Sequence, residues 1–176
     1  MDRPLELFLR AQADEAARLA KSSELLDVVP LDGTPPHRYL VDFRVKGFVR
    51  KPSGEIGPWE RFVVGVHFAP DYLQRADTFH VLSWIHPPHA YYPNVSNGSA
   101  FICIGNLVPG TGLTELVRRL WQLITYRHYS LSECDSLNPA ARQWALRNRH
   151  LFPTDPRPLG FEQPAGSTPE NTARKK

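Results

Sequence analysis

Three stretches between Tyr39 and Ile85 alternate along the chain with a period of two. Tyr39, Val41, Phe43 and Val45 alternate with Leu40, Asp42, Arg44 and Lys46. Phe62, Val64, Val66 and Phe68 repeat the pattern, and Phe79, Val81, Ser83 and Ile85 alternate with His80, Leu82 and Trp84. A period of two puts successive side chains on opposite faces of a strand. Turn signals punctuate the stretches: Lys51-Pro52-Ser53-Gly54 and Pro70-Asp71. A shorter apolar run, Leu25 to Leu31, ends at Asp32-Gly33-Thr34-Pro35-Pro36 and adds a fourth strand. Sequential strands joined by turns rather than by helices form an antiparallel meander.

Helical patterns flank this meander. Asp2-Arg3-Pro4 reads as a helix start, with Asp2 as cap and Pro4 in the first turn. Leu5, Phe8, Leu9, Ala16, Leu19 and Ala20 then recur at helical spacing to about Lys21, with Glu6, Arg10, Asp14 and Arg18 on the other face. After the strands, Leu113, Leu116, Val117, Leu120, Leu123 and Ile124 mark a strongly amphipathic helix over Leu113 to Tyr126, with Thr114 near its start. A shorter helix follows Asn138-Pro139 and carries Ala140, Ala141, Trp144 and Leu146. Helix, then strands, then helices is an α+β order. The length, 176 residues, suits one domain with its own core. Composition shifts at Pro153, so the reading is a domain over 1–152 and an unstructured, proline-rich tail over 153–176. The 17 prolines are about twice the usual share and concentrate in this tail and in one long loop.

Other classes are excluded by composition. Two cysteines, Cys103 and Cys134, cannot make a disulfide framework and favour a reducing compartment. A net charge of +3, evenly spread, does not argue for nucleic acid. No run approaches the roughly 20 apolar residues of a membrane span. Met1-Asp2-Arg3-Pro4 lacks the basic-then-apolar form of a signal peptide. The expectation is a cytoplasmic protein that engages neither membrane nor nucleic acid.

The chemistry-bearing residues lie in the long irregular stretch from His86 to Gly112. Its apolar content (Ile102, Cys103, Ile104, Leu107, Val108) argues for an ordered loop, and ordered loops of this length are usually functional. Cys103 between two isoleucines reads either as an inert core thiol or as a nucleophile. Asn94 reads either as a turn residue or as an amide donor. His80, His86, His89 and Cys103 invite a zinc reading, but their spacing fits no common zinc pattern, so no metal is expected. A thiol hydrolase with His86 or His89 as base is a further reading of the same residues. Cys134 reads as a loop thiol, with a redox pairing to Cys103 as the alternative.

Together these pieces resemble the ubiquitin-conjugating enzymes. Tyr92-Pro93-Asn94 followed by Asn97-Gly98-Ser99 and then Ile102-Cys103-Ile104 resembles the family's His-Pro-Asn tripeptide, polar turn and catalytic cysteine between apolar residues. His67-Phe68-Ala69-Pro70-Asp71-Tyr72 resembles the motif that closes the family's third strand, and Leu137-Asn138-Pro139-Ala140-Ala141 the start of a later helix. The long helix follows the cysteine at the family's spacing, and the resemblance covers about residues 2 to 149. Tyr92 stands where the family has histidine, the loop from Asn94 to Cys103 is about one residue longer, and Pro153 cuts short the final helix pair. The chain therefore looks like a divergent member, such as the bacterial relatives encoded beside a ubiquitin-like protein, an activating enzyme and a metalloprotease, in operons of which some are implicated in antiviral defence.

The resemblance implies a UBC-like α+β fold: an N-terminal helix, a four-stranded antiparallel meander sheet, an active-site loop, then helices. It implies a transferase that accepts a ubiquitin-like protein from an activating enzyme as a thioester on Cys103. The acyl group then passes to a lysine on a target protein, with or without a ligase. Asn94 would stabilise the oxyanion, Asp135 would position the incoming lysine, and Tyr92 and Pro93 would support the loop. Arg3, Arg10 and Arg18 on the first helix would help dock the activating enzyme. No cofactor is implied, since ATP is consumed at the activating step. The alternative is a non-catalytic relative that binds ubiquitin-like proteins or scaffolds a complex.

Overall fold

The computed structural model describes residues 2–132 and 136–161. The element order is α1 (Arg3–Ser22), β1 (Leu26–Pro30), β2 (Arg38–Phe43), β3 (Gly47–Arg50), β4 (Ile56–Trp59), β5 (Phe62–His67), α2 (Thr78–Val81), β6 (Leu82–His86), α3 (Leu113–Ile124) and α4 (Pro139–Arg147). A single 3-10 turn, Arg149–Leu151, follows α4. This is an α+β chain with an N-terminal helix, a four-stranded antiparallel sheet and later helices.

The sheet runs β1-β2-β5-β6, and every neighbouring pair is antiparallel. Its central register pairs Tyr39 with Val66, Val41 with Val64 and Phe43 with Phe62. All six are buried, which is the period-two pattern expressed as one core face. One continuous apolar core joins this face to Leu5, Leu9, Ala16 and Leu19 of α1 and to Leu116, Val117, Leu120 and Ile124 of α3.

Two strand assignments differ from the sequence expectation. The turn at Lys51–Gly54 does reverse the chain, but between two strands that went unrecognised: β3 and β4 form a separate hairpin. Phe79 and Val81, expected in a strand, lie in α2, a single helical turn. The Asp77 side chain accepts a hydrogen bond from the Phe79 N–H at 2.9 Å and caps that turn. The strand therefore begins at Leu82, with Leu82 and Trp84 facing the core and Ile85 exposed.

The two longest helices are joined end to side. Backbone N–H groups in the first turn of any helix lack intrahelical partners. The residue before α3 is Gly112, which has no side chain to offer. The donors are met from α1 instead: Gln12 Oε1 accepts from the Leu113 N–H at 2.7 Å, and Glu15 Oε2 from the Thr114 N–H at 3.1 Å and its hydroxyl at 2.8 Å. A carboxylate there also suits the positive end of the helix dipole. Asp2, read as the cap of α1, makes no side-chain capping bond, although its carbonyl accepts from the Glu6 N–H. Asn138 does cap α4, accepting from the Ala141 N–H.

The expectation of an unstructured tail from Pro153 does not hold for residues 153–161. Asp155 and Leu159 are fully buried. The Asp155 carboxylate accepts from the Lys46 N–H at 2.9 Å and from the Arg157 guanidinium at 2.6 Å. Burial by itself would raise the pKa of this carboxyl. The bonds from Arg157 and from the Lys46 N–H outweigh it and hold the value at about 2. Thr154 bonds to Thr125 and Lys46, so the segment straps the end of α3 to the start of β3. Residues 162–176 lie outside the described residues.

Candidate functional site

The loop that carries Cys103 folds back on itself. Val95 and Ile102 form an isolated antiparallel bridge, the Ser96 N–H bonds to the Phe101 carbonyl, and the Cys103 N–H bonds to the Asn94 carbonyl at 2.8 Å. These contacts set one register, with Asn94 opposite Cys103. Gly98, at φ 101°, supplies the left-handed residue in the turn between them. Residues directly opposite in an antiparallel pair project to the same side. Asn94 and Cys103 therefore share one face, while Val95 and Ile102 go to the other and are buried in the core.

The shared face opens onto a cavity of about 350 Å³. Asn94, Cys103, Ile104 and Gly105 line it from the loop, Arg119, Gln122 and Leu123 from α3, and His128, Tyr129 and Ser130 from the segment after α3. Asn94 is 2% exposed and Cys103 is half-buried. Reactive cysteines in general sit at such partly exposed positions. On one wall, Arg119 is fixed by Glu115 at 2.6 Å and by the Asn106 carbonyl at 3.0 Å, which ties the loop past Cys103 to α3. Burial alone would raise the Glu115 pKa, but Arg118 and Arg119 outweigh it and lower it, keeping this carboxylate ionised.

Behind the loop the environment is closed and aromatic. Tyr92 is 1% exposed, and its hydroxyl both accepts from the Phe48 N–H at 3.0 Å and donates to the Ile124 carbonyl at 3.0 Å. Burial pushes its pKa far up, so the hydroxyl keeps its proton and donates. The ring stacks on Tyr126 at 5.0 Å, which stacks on Phe152 at 4.1 Å. Gly47 makes room for this: a Cβ there would overlap the Tyr92 hydroxyl. Pro93 is buried, and its carbonyl accepts from the N–H groups of Leu137 and Asn138. Tyr92 and Pro93 thus hold the loop to β3, to the end of α3 and to the start of α4.

The remaining sequence candidates distribute as follows. Arg3, Arg10 and Arg18 all lie exposed on α1, with Arg10 paired to Glu6 at 2.7 Å. Asp135 and Cys134 lie outside the described residues. His80 contacts Asp77, His86 lies beside Trp59, and His89 lines a different cavity with Arg50 and Lys51, so none of the three lines the Cys103 cavity. Among the described residues no cluster of three or more His, Cys, Asp or Glu comes together to hold a metal. Sequence reading missed Arg119, Gln122 and His128. Arg119 and Gln122 stand three apart on the polar edge of α3, and only the helical period could have pointed to a shared face. His128 follows a chain reversal at Tyr126, φ 56°, that no pattern announces.

No protein-family model matches the chain, and no curated protein matches it significantly. Among the described residues no helix is long and apolar enough to cross a membrane.

Proposed function

We propose that the chain is a UBC-like conjugating enzyme, a transferase that carries a ubiquitin-like protein as a thioester on Cys103. The observation that carries this reading is the register of the loop, which sets Asn94 opposite Cys103 at the mouth of a cavity. A thiolate is a strong nucleophile and its thioester an activated acyl carrier. When an amine attacks that thioester, charge develops on the carbonyl oxygen. A neutral amide donor held beside it stabilises that charge without competing for the nucleophile. Asn94 meets the requirement: it is held by the loop backbone and shielded from water. Tyr92 supports the same reading, since its two hydrogen bonds brace the loop where the resemblance puts histidine. The role of Asp135 toward an incoming lysine rests on the resemblance alone, as do the activating enzyme, the target protein, docking through Arg3, Arg10 and Arg18, and a cytoplasmic, bacterial setting in antiviral defence.

The test is charging. Incubation with the cognate activating enzyme, ubiquitin-like protein and ATP is expected to give an adduct that reductant removes and Cys103→Ala abolishes. No adduct with a partner set shown to be active would overturn the catalytic reading in favour of a binding-only scaffold. Asn94→Ala is expected to charge normally but to discharge to lysine about 100-fold more slowly, the usual cost of one oxyanion donor. Normal discharge would remove Asn94 from the mechanism.

A further inference from the structure

The Cys103 cavity contains one side chain whose chemistry the reading above does not use. His128 follows α3 at its C-terminal end and lines the same cavity as Asn94 and Cys103. Its position is set by backbone rather than chance. The Arg127 and His128 N–H groups both bond to the Gln122 carbonyl, at 2.8 and 3.1 Å, and Tyr126 turns the chain through the left-handed region just before them. Tyr126 is itself locked, with its ring between Tyr92 and Phe152 and its hydroxyl donating to the Tyr91 carbonyl at 2.7 Å. The aromatic stack behind the loop therefore fixes both the loop that holds Cys103 and the turn that presents His128. The His128 side chain is exposed, where an incoming group can reach it.

We infer that His128 is the proton acceptor for the amine that discharges the Cys103 thioester. The inference rests on the proposed function, and deepens it by naming a base. In the step, the amine nitrogen bonds to the thioester carbonyl carbon and passes one proton to the His128 imidazole. The carbon–sulfur bond then breaks, the thiolate leaves on Cys103, and the imidazolium returns the proton to that sulfur. The products are an amide and a free thiol, with no oxidant, reductant or cofactor consumed. A neutral imidazole accepts a proton at one ring nitrogen and, once protonated, donates it back, which suits it to both halves of the step.

The other charged or titratable groups on this cavity do not duplicate that behaviour among the described residues. Arg119, from α3, is ion-paired with Glu115 at 2.6 Å and its guanidinium stays charged. Tyr129 has its pKa raised by burial, with Arg149 opposing only in part, and so keeps its proton at neutral pH. Cys103 is the acylated sulfur and does not titrate during discharge. Gln122, Asn94 and Ser130 are neutral.

The experiment needs no natural partner. Wild-type protein is acylated on Cys103 by thiol exchange with a short Gly-Gly peptide thioester, and intact mass follows its loss to free lysine or to 2-mercaptoethanesulfonate. The latter attacks as a thiolate, which has no proton to give up and so needs no base. His128→Gln is expected to acylate like wild type and to react with lysine about 100-fold more slowly, the lower end of what a general base supplies. Its rate with 2-mercaptoethanesulfonate should stay unchanged. Equal lysine rates in the two proteins would overturn the inference and leave the conjugating reading standing. Equal slowing toward lysine and the thiolate would also overturn it, since that marks a distorted site rather than a lost base. Failure of wild-type Cys103 to acylate would overturn both readings, because the thiol would then not be an acyl acceptor.

Discussion

The two sides of the Cys103 loop are built from opposite materials. The back is closed and aromatic: Tyr92, Tyr126 and Phe152 stack in series, and the Tyr92 hydroxyl ties two backbone groups together. The front is polar and open, with Asn94, Cys103, Arg119, Gln122 and His128 around a cavity of about 350 Å³. The difference teaches where stability and chemistry are held. Dense packing behind the loop fixes backbone positions, so the front can keep polar side chains partly in water without losing geometry. Substitutions at the back should cost stability, and those at the front should leave stability nearly unchanged.

The largest effect is expected at Gly47. A Cβ there meets the Tyr92 hydroxyl, comes within 2.7 Å of the Phe62 ring and within 3.0 Å of the Ile124 carbonyl. Two of these neighbours are tightly held, so relief requires backbone movement. Gly47→Ala should cost about 3 kcal/mol in urea unfolding, the upper range for overpacking. A cost below about 1 kcal/mol would show that the back is looser than described.

Next comes Tyr92→Phe, which removes one oxygen and leaves the Phe48 N–H and the Ile124 carbonyl without that partner. Stability should fall by about 2 kcal/mol. Alkylation of Cys103 by iodoacetamide in the still-folded variant should stay within about twofold of wild type, because shape is conserved and the lost bonds lie behind the loop. A large change in alkylation would break the separation between the two sides.

Asp155 gives a third handle, through pH. Its folded pKa of about 2 lies below the ordinary carboxylate value, so its contribution is complete above about pH 4 and is lost as pH falls toward 2. At pH 7 Asp155→Asn should cost about 2 kcal/mol. The gap between variant and wild type should narrow steadily below pH 4. A gap independent of pH would mean that shape, rather than charge, is what the segment contributes.

The smallest effect on stability should come from Cys103→Ser on the open side. A half-buried thiol replaced by a hydroxyl of similar size should shift stability by less than about 0.5 kcal/mol. A larger loss would mark Cys103 as a packing residue and weaken the distinction drawn above.

Much of the framework could be read in advance, for a physical reason. β2 and β5 each bury one face, so Tyr39, Val41 and Phe43, and Phe62, Val64 and Val66, carry the alternation openly. Helices α1 and α3 bury one stripe and show it in the same way. The β3–β4 hairpin could not be read: each strand is four residues long, and Gly47, Gly57 and Pro58 interrupt the pattern. The order in residues 153–161 was not legible because proline content speaks of backbone preference and not of a single buried carboxylate. Asp155 is held by one arginine side chain and two backbone N–H groups, those of Lys46 and Arg157, and no composition signals that. In the site, Asn94, Cys103, Tyr92 and Pro93 were legible because they sit close together in one loop. Arg119 and His128 were not, since their nearness to Cys103 exists only after α3 has packed.

The bonds from Gln12 and Glu15 to the start of α3 bear on the order of assembly. Their partners lie 101 and 99 residues further along the chain. On the ribosome α1 emerges long before the residues it serves, and its glutamine and carboxylate remain hydrated until Leu113 and Thr114 have been made. Water can satisfy the first turn of α3 until α1 meets it, so this wall of the Cys103 cavity takes its final form when an early and a late product of synthesis come together. A nascent chain stalled before that meeting would display the cysteine loop without its wall. The thiol and the cavity it faces therefore come together only once nearly the whole domain exists.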